Sequence, residues 1–402
     1  MSLVRIAALV GVIAFTSGPA VPAAALEVLS SEAQERGPTP ATAEQIRAAI
    51  DQLADLHYPT RMAAGRTIRR APSAQVVPAL LQAVDGHADG FVRFRALILL
   101  TGYSDPRIDD AISTALASPN DRLREVAYAY FEQHPQASRA PRLLAALDKE
   151  AGEFVRPALI RALAAIPRDA RVVDVLLRDS MRGVDFFRST VIEAIGDYRI
   201  AAAIPRLSEI ARLDGPLQDD AATALGKIGD KTAVNTLAAL QQSAPKENQP
   251  AIAAAICLLG INCPSHLGYL EKTLTFAETY PGYQDLVRSA AAGLGHVARQ
   301  GNEDAARILF DVGVPSSDPL RAPISLAVGL VALRNTPLLL KTLQARTDLD
   351  GAVGLVAEAF DMLEEDLEEE RFFVAIRKEY WAAPEGSPLR KLCQTLINKL
   401  DF

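Results

Sequence analysis

The segment "DDAATALGKIGDKTAVNTLAAL" (Asp219 to Leu240) decides the fold. Its first half sets Ala221, Leu225 and Ile228 four and three residues apart, the apolar face of one helix. Gly229 and Asp230 interrupt the pattern, and glycine enters the left-handed region without a Cβ penalty, so a helix ends there. Val234, Leu237 and Leu240 then resume helical spacing. The stretch reads as two antiparallel helices joined by a tight turn. Each is too short to persist alone in water.

The same template recurs along the chain. Positions equivalent to Leu225 fall at Ile68, Leu100, Phe131, Leu163, Ile195, Leu258, Leu294 and Leu330, and the successive steps of the whole series are 32, 31, 32, 32, 30, 33, 36 and 36 residues. A second apolar segment follows each one, as in "VVPALLQAV", "APRLLAALDKE" and "AIPRLSEIARL". The last two units are looser and carry insertions such as "ARQGNEDA" (Ala298 to Ala305). One helix pair cannot bury both of its apolar faces, whereas stacked neighbours can. The expected fold is therefore all-α: an α-solenoid, a superhelical array of about nine antiparallel helix pairs over residues 42–350. With neighbouring helices 8–10 Å apart, nine units predict a rod or arc on the order of 80–90 Å long, whose concave face is the natural binding surface.

"VRPALIRALAAI" (Val155 to Ile166) and the segment from Ala221 to Leu240 resemble HEAT-type repeats, in particular the short HEAT-like units of phycobilin lyase subunits. The resemblance covers about residues 44–345 and is carried by the series rather than by any one unit. It implies two function classes. One is a non-enzymatic scaffold that binds protein or peptide along its concave face. The other is a HEAT-like enzyme of the lyase type or the DNA-glycosylase type.

The ends depart from the period. Residues 1–25 combine an early cation (Arg5), an apolar run from Ile6 to Phe15, and a Ser/Gly/Pro segment ending in small residues. This is the layout of a cleaved secretory signal peptide; Gly18, Pro19 and Pro22 interrupt a span that would need about 20 apolar residues to remain as an anchor. Export to the periplasm or cell exterior is the expectation, with no integral membrane segment left after cleavage. Residues 26–41 read as a flexible leader, and "TAEQ" (Thr42 to Gln45) as a capping box. Residues 351–402 read as a C-terminal helical cap covering the last apolar face.

Composition narrows the partners. The net charge is −7, and removing residues 1–25 takes away one arginine and no acid. That balance argues against nucleic acid, which disfavours the glycosylase reading, and export disfavours both intracellular enzyme types. The cysteines, Cys257, Cys263 and Cys393, are odd in number and lack metal spacing. In "CLLGINC" a disulfide requires the turn to fold back to within about 7 Å; small apolar filling is the simpler reading. The five histidines, His57, His87, His134, His266 and His296, form no HxxxH, HExxH or His–Glu motif. No catalytic, cofactor-binding or metal-binding residue is expected. "EEDLEEE" (Glu364 to Glu370) reads as the solvated face of the capping helix.

One charged register stands out. Arg61, Arg93, Arg124, Arg156 and Arg188 each lie seven residues before the reference position of five successive units. Asp121, Glu153 and Asp185 precede three of them by three residues, and Asp285/Arg288 and Asp318/Arg321 repeat the spacing, with Pro319 placed at a first helical position. An acid at a helix start caps free N–H groups, and an arginine three residues on pairs with it or with a neighbouring unit. These residues are expected to form a structural ladder rather than an anion-binding row.

Overall fold

The structure is a computed structural model that describes residues 40–279, 282–363 and 366–402. The expected export segment, all but the last two residues of the leader, and Glu364 and Glu365 lie outside the described residues. Residues from Pro40 to Phe402 form one compact unit. Among the described residues every regular element is helical.

A lead-in helix, α1 (Ala43–Asp51), is opened by the Thr42/Gln45 capping box. Pairs then follow: α2 (Tyr58–Arg70) with α3 (Ser73–Gly86), α4 (Gly90–Thr101) with α5 (Arg107–Ala115), and α6 (Asp121–Gln133) with α7 (Ala140–Leu147). Next come α8 (Arg156–Ala164) with α9 (Ala170–Asp179), α10 (Asp185–Asp197) with α11 (Ile204–Ala211), and α12 (Gln218–Ile228) with α13 (Val234–Ser243). The last three pairs are α14 (Gln249–Leu258) with α15 (Cys263–Thr279), α16 (Gln284–Arg299) with α17 (Glu303–Gly313), and α18 (Arg321–Arg334) with α19 (Thr336–Gln344). Three helices complete the chain: α20 (Leu349–Met362), α21 (Asp366–Ala382) and α22 (Pro388–Leu400). The chain is an α-solenoid of HEAT-like helix pairs.

Local chemistry sets the boundaries. Gly229 ends α12 in the left-handed region at φ 79°, as its position in the sequence requires. Asp89, Asn120, Asp169 and Asn302 cap their helices through the side chain. The even-numbered helices from α2 to α20 form an inner row, each packed on the next. Several approaches in that row rely on small residues. A Cβ on Gly196 would lie 2.8 Å from Ala224 Cα, and one on Gly226 would lie 2.5 Å from Ala255 Cα. Gly295 meets Ala327 and Gly329 meets Ala359 in the same manner. This seam places the innermost position of the seventh and ninth units at Ile256 and Val328, two residues before the expected Leu258 and Leu330, which are half-buried. It also carries the inner row into α20, one helix beyond the ninth pair.

Two local expectations change. Cys257 and Cys263 are joined in a disulfide, with Cα atoms 4.1 Å apart, because the turn after α14 folds back at Gly260 in the left-handed region, φ 74°. Cys393 is buried and free. The Asp318–Pro319 bond is cis and precedes α18, which begins at Arg321, so Pro319 does not occupy a first helical position.

The row does not remain an open arc. α21 packs against α4, and Leu367 joins the apolar core of the early units. Glu370 receives Arg69 through Nε at 2.8 Å and NH2 at 2.7 Å, with both side chains more than nine-tenths buried. Arg95 pairs with Asp366, and Arg66 with Asp401. Arg377 donates to Arg69 O at 2.6 Å, and Arg70 donates to Phe402 O at 3.1 Å. The described part of the acidic run is therefore an internal docking face rather than a solvated one. Asp366 and Glu370 meet arginines 271 and 301 residues away in sequence.

A candidate binding cavity

The ladder residues hold the units together through backbone carbonyls. Arg93 donates to Val84 O at 2.9 Å, Arg124 to Ser118 O at 2.8 Å and Arg188 to Ser180 O at 3.1 Å. Each bond reaches back to the end of the preceding second helix, where carbonyls lack helical partners. Arg61 does the same for Asp55 O and Leu56 O at 2.6 and 3.2 Å. Arg124 also holds Glu150 in a two-point bond and pairs with Asp121, while Arg188 pairs with Asp185.

Arg156 is the exception. Its guanidinium lies over the Phe187 ring of the next unit at 4.3 Å, and its Nε has no hydrogen-bond partner among the described residues. Glu153 is exposed and does not cap α8, which starts at Arg156 with Val155 at the N-cap. Glu150 takes the acidic position instead, accepting from Gly152 N at 2.9 Å. Its hydrogen bond from Arg124 holds its carboxyl below the usual range.

Closure by α21 and α22 leaves a partly open cavity of about 1660 Å³. Its walls are the inner helices of the first five units, α16, α18, α20, and the closing segment. One part of the wall is aromatic. Tyr58, Phe91, Phe94 and Phe154 line it, Phe154 being 78% exposed, and the Arg122 guanidinium sits 5.4 and 5.2 Å from the Phe91 and Phe94 rings.

The other part is a charged floor at the last turns of inner helices, lined by Glu132, Arg161, His296, Arg299, Arg334 and Glu368 and joined by Asp197, Tyr198 and Lys227, which do not line it. Arg161 donates to Glu132 at 3.1 Å and lies 3.4 Å from Asp197. Lys227, whose side chain is 2% exposed, reaches Asp197 at 2.8 Å. Tyr198 donates to Glu132 at 2.8 Å, and Arg334 lies 3.5 Å from Glu368. Cations at the ends of α12, α16 and α18 also suit the negative ends of those helices. Burial pushes the Asp197 carboxyl up, but Lys227, Arg299 and Arg161 outweigh it and keep it ionised. Burial, then Lys227 and Arg299, drives the His296 imidazole well below its ordinary range, so it is neutral at pH 7.

The charges seven residues before the reference position form ties between units. The floor residues lie just around it: Glu132 follows Phe131, Arg161 precedes Leu163 by two, and Asp197, Lys227 and His296 each follow their reference by two. Charged residues in the last turn of a buried helix were the available clue. Among the described residues no group of three His, Cys, Asp or Glu is arranged to hold a metal ion. No single helix among them is long and apolar enough to cross a membrane; α18 and α19 reach that composition only together, across a 117° bend.

No family model and no curated protein matches this chain. Among solved structures it is similar to YibA of Escherichia coli, at 18% identity and TM-score 0.40, covering 55% of this chain and 82% of that one. It is similar to Kap121p bound to Pho4p, at 13% identity and TM-score 0.42, covering 96% of this chain and 48% of Kap121p. It is also similar to the complex of CpcE and CpcF of phycocyanin lyase from Nostoc sp. PCC7120, at 18% identity and TM-score 0.25, covering 87% of this chain and 100% of that one. The chain thus spans about half the length of Kap121p.

Proposed function

We propose that this chain is a non-enzymatic scaffold that takes an extended polypeptide segment into its cavity and works in an exported, oxidising compartment. The cavity carries the reading. At about 1660 Å³ it exceeds the roughly 300–1,000 Å³ usual for small-molecule sites. Its wall offers exposed aromatic rings and a stacked arginine, groups that anchor peptide side chains. Most charged groups of the floor are held by one another, an arrangement suited to holding a ligand rather than to passing protons. The Cys257–Cys263 disulfide supports an oxidising compartment.

The test is binding of a fluorescent library of unstructured peptides to the purified protein, repeated with Phe154→Ala and Arg122→Ala. Both side chains are exposed, so the variants should fold. Binding peptides should lose at least about tenfold in affinity in each variant, the loss of an interface anchor worth more than about 1.4 kcal/mol. Absence of binding, or binding indifferent to both changes, overturns the cavity reading. Fractionation of cells carrying tagged full-length chain tests export, and retention inside the cell would return the enzyme alternative.

A further inference from the structure

Arg161, Arg299 and Arg334 line the cavity floor and the buried Lys227 joins their network; three of these four cations have carboxylate partners. Arg161 has Glu132 and Asp197, Lys227 has Asp197, and Arg334 has Glu132 and Glu368. Arg299 differs. Among the described residues no carboxylate lies within ion-pair distance of it, and its side-chain hydrogen bond is to His296 Nδ1 at 2.7 Å. Both residues line the cavity although they sit deep in the unit. Asp197 and Glu193 act on Arg299 only through their fields, and burial outweighs them; an anion in direct contact would supply the ion pair that it lacks.

The chemistry of the pair supplies more than charge. With Nδ1 accepting from Arg299, a neutral His296 ring carries its proton on Nε2, which is left as a donor. Arg299 adds the planar fork that matches a carboxylate. The same wall contains Glu193, 3.9 Å from Lys227, and Asp197 pairs with that lysine close by, so the site accommodates one added negative charge better than two.

We infer that Arg299 and His296 form an anion subsite that takes a carboxylate of the bound polypeptide. The identity of the ligand rests on the peptide-binding reading; the anion subsite itself does not. The experiment is thermal unfolding of the intact protein at pH 7 and constant ionic strength in chloride, acetate or phosphate. Acetate should raise the midpoint saturably above chloride, and above phosphate at equal concentration. Arg299→Gln should erase the difference. Arg288→Gln, on the same helix but exposed and paired with Asp285, should keep it.

Equal midpoints in acetate and chloride, stronger protection by phosphate, or an acetate effect retained in Arg299→Gln would each overturn the assignment. Should Arg299→Gln fail to fold, the anion series on unaltered protein and on His296→Ala still decides. In that case His296→Ala should reduce the acetate effect. Acetate protection together with no peptide binding would sink the polypeptide reading and leave the anion subsite standing.

Discussion

Asp220, half-buried on α12, shows how the array tolerates an unfavourable charge. Burial first, then the fields of Asp219 and Glu193, lift its carboxyl from 3.8 to about 6 against a Ser189 hydrogen bond. The sign follows from proton uptake. The folded state holds this proton more tightly than the unfolded chain does, so the contribution is fully present below about pH 4 and is lost as pH rises through about 6. Asp220→Asn keeps the shape and removes the ionisation. It should stabilise the protein at pH 7.5 by on the order of 1–3 kcal/mol and give no gain at pH 4. Urea unfolding of both proteins at the two pH values checks this; an equal difference at both would refute the assignment. The arginine register was legible in sequence at this scale, since a seven-residue offset repeats. Its partners were not, because most are backbone carbonyls of the preceding unit and carry no side-chain signature.

For the helices, close approach is the controlling feature, and two glycines should respond in opposite ways. A methyl on Gly226 would lie 2.5 Å from Ala255 Cα and 2.8 Å from its carbonyl oxygen, both backbone atoms that cannot rotate aside. Gly354, on α20, has open space where its Cβ would be. Gly226→Ala should therefore lose about 2 kcal/mol, overpacking outweighing the gain in helix propensity. Gly354→Ala should gain about 0.5–1 kcal/mol from propensity alone. Chemical denaturation of both checks the pair, and a gain at Gly226 would mean that α12 and α14 do not pack this closely. The nine pairs were readable because period and apolar face agreed in most units, helped by turn glycines at Gly102, Gly229, Gly260 and Gly301. The register slipped at α14 because "AIAAAICLLG" is apolar on nearly every side, and Pro250 to Cys257 are all buried. A helix buried all round offers no polar face to set its phase.

For the whole molecule, the decisive contacts join residues that the period cannot relate. A repeat array is normally the sum of its units and their nearest-neighbour interfaces. Here α21 and α22 add contacts to α2 and α4, which turn a concave face into a walled cavity. Sequence showed an acidic run and scattered arginines; only the curvature of ten successive inner helices brings Glu370 to Arg69. The same curvature gathers the floor residues, so the cavity was not legible unit by unit. The closure makes an asymmetric prediction. Arg69 and Glu370 are both buried, and Arg69 also lies 5.0 Å from the Phe373 ring. Glu370→Ala leaves a buried cation without its carboxylate and should remove about 3–5 kcal/mol of stability. Asp366→Ala breaks the more exposed pair with Arg95 and should remove no more than about 1 kcal/mol. Hydrogen exchange locates the effect. In Glu370→Ala, protection should fall in α2, α21 and α22 and persist through α8 to α14, whose packing is local. A uniform fall along the whole array would instead show that the units unfold together, and that the closure is not a separable element of the fold.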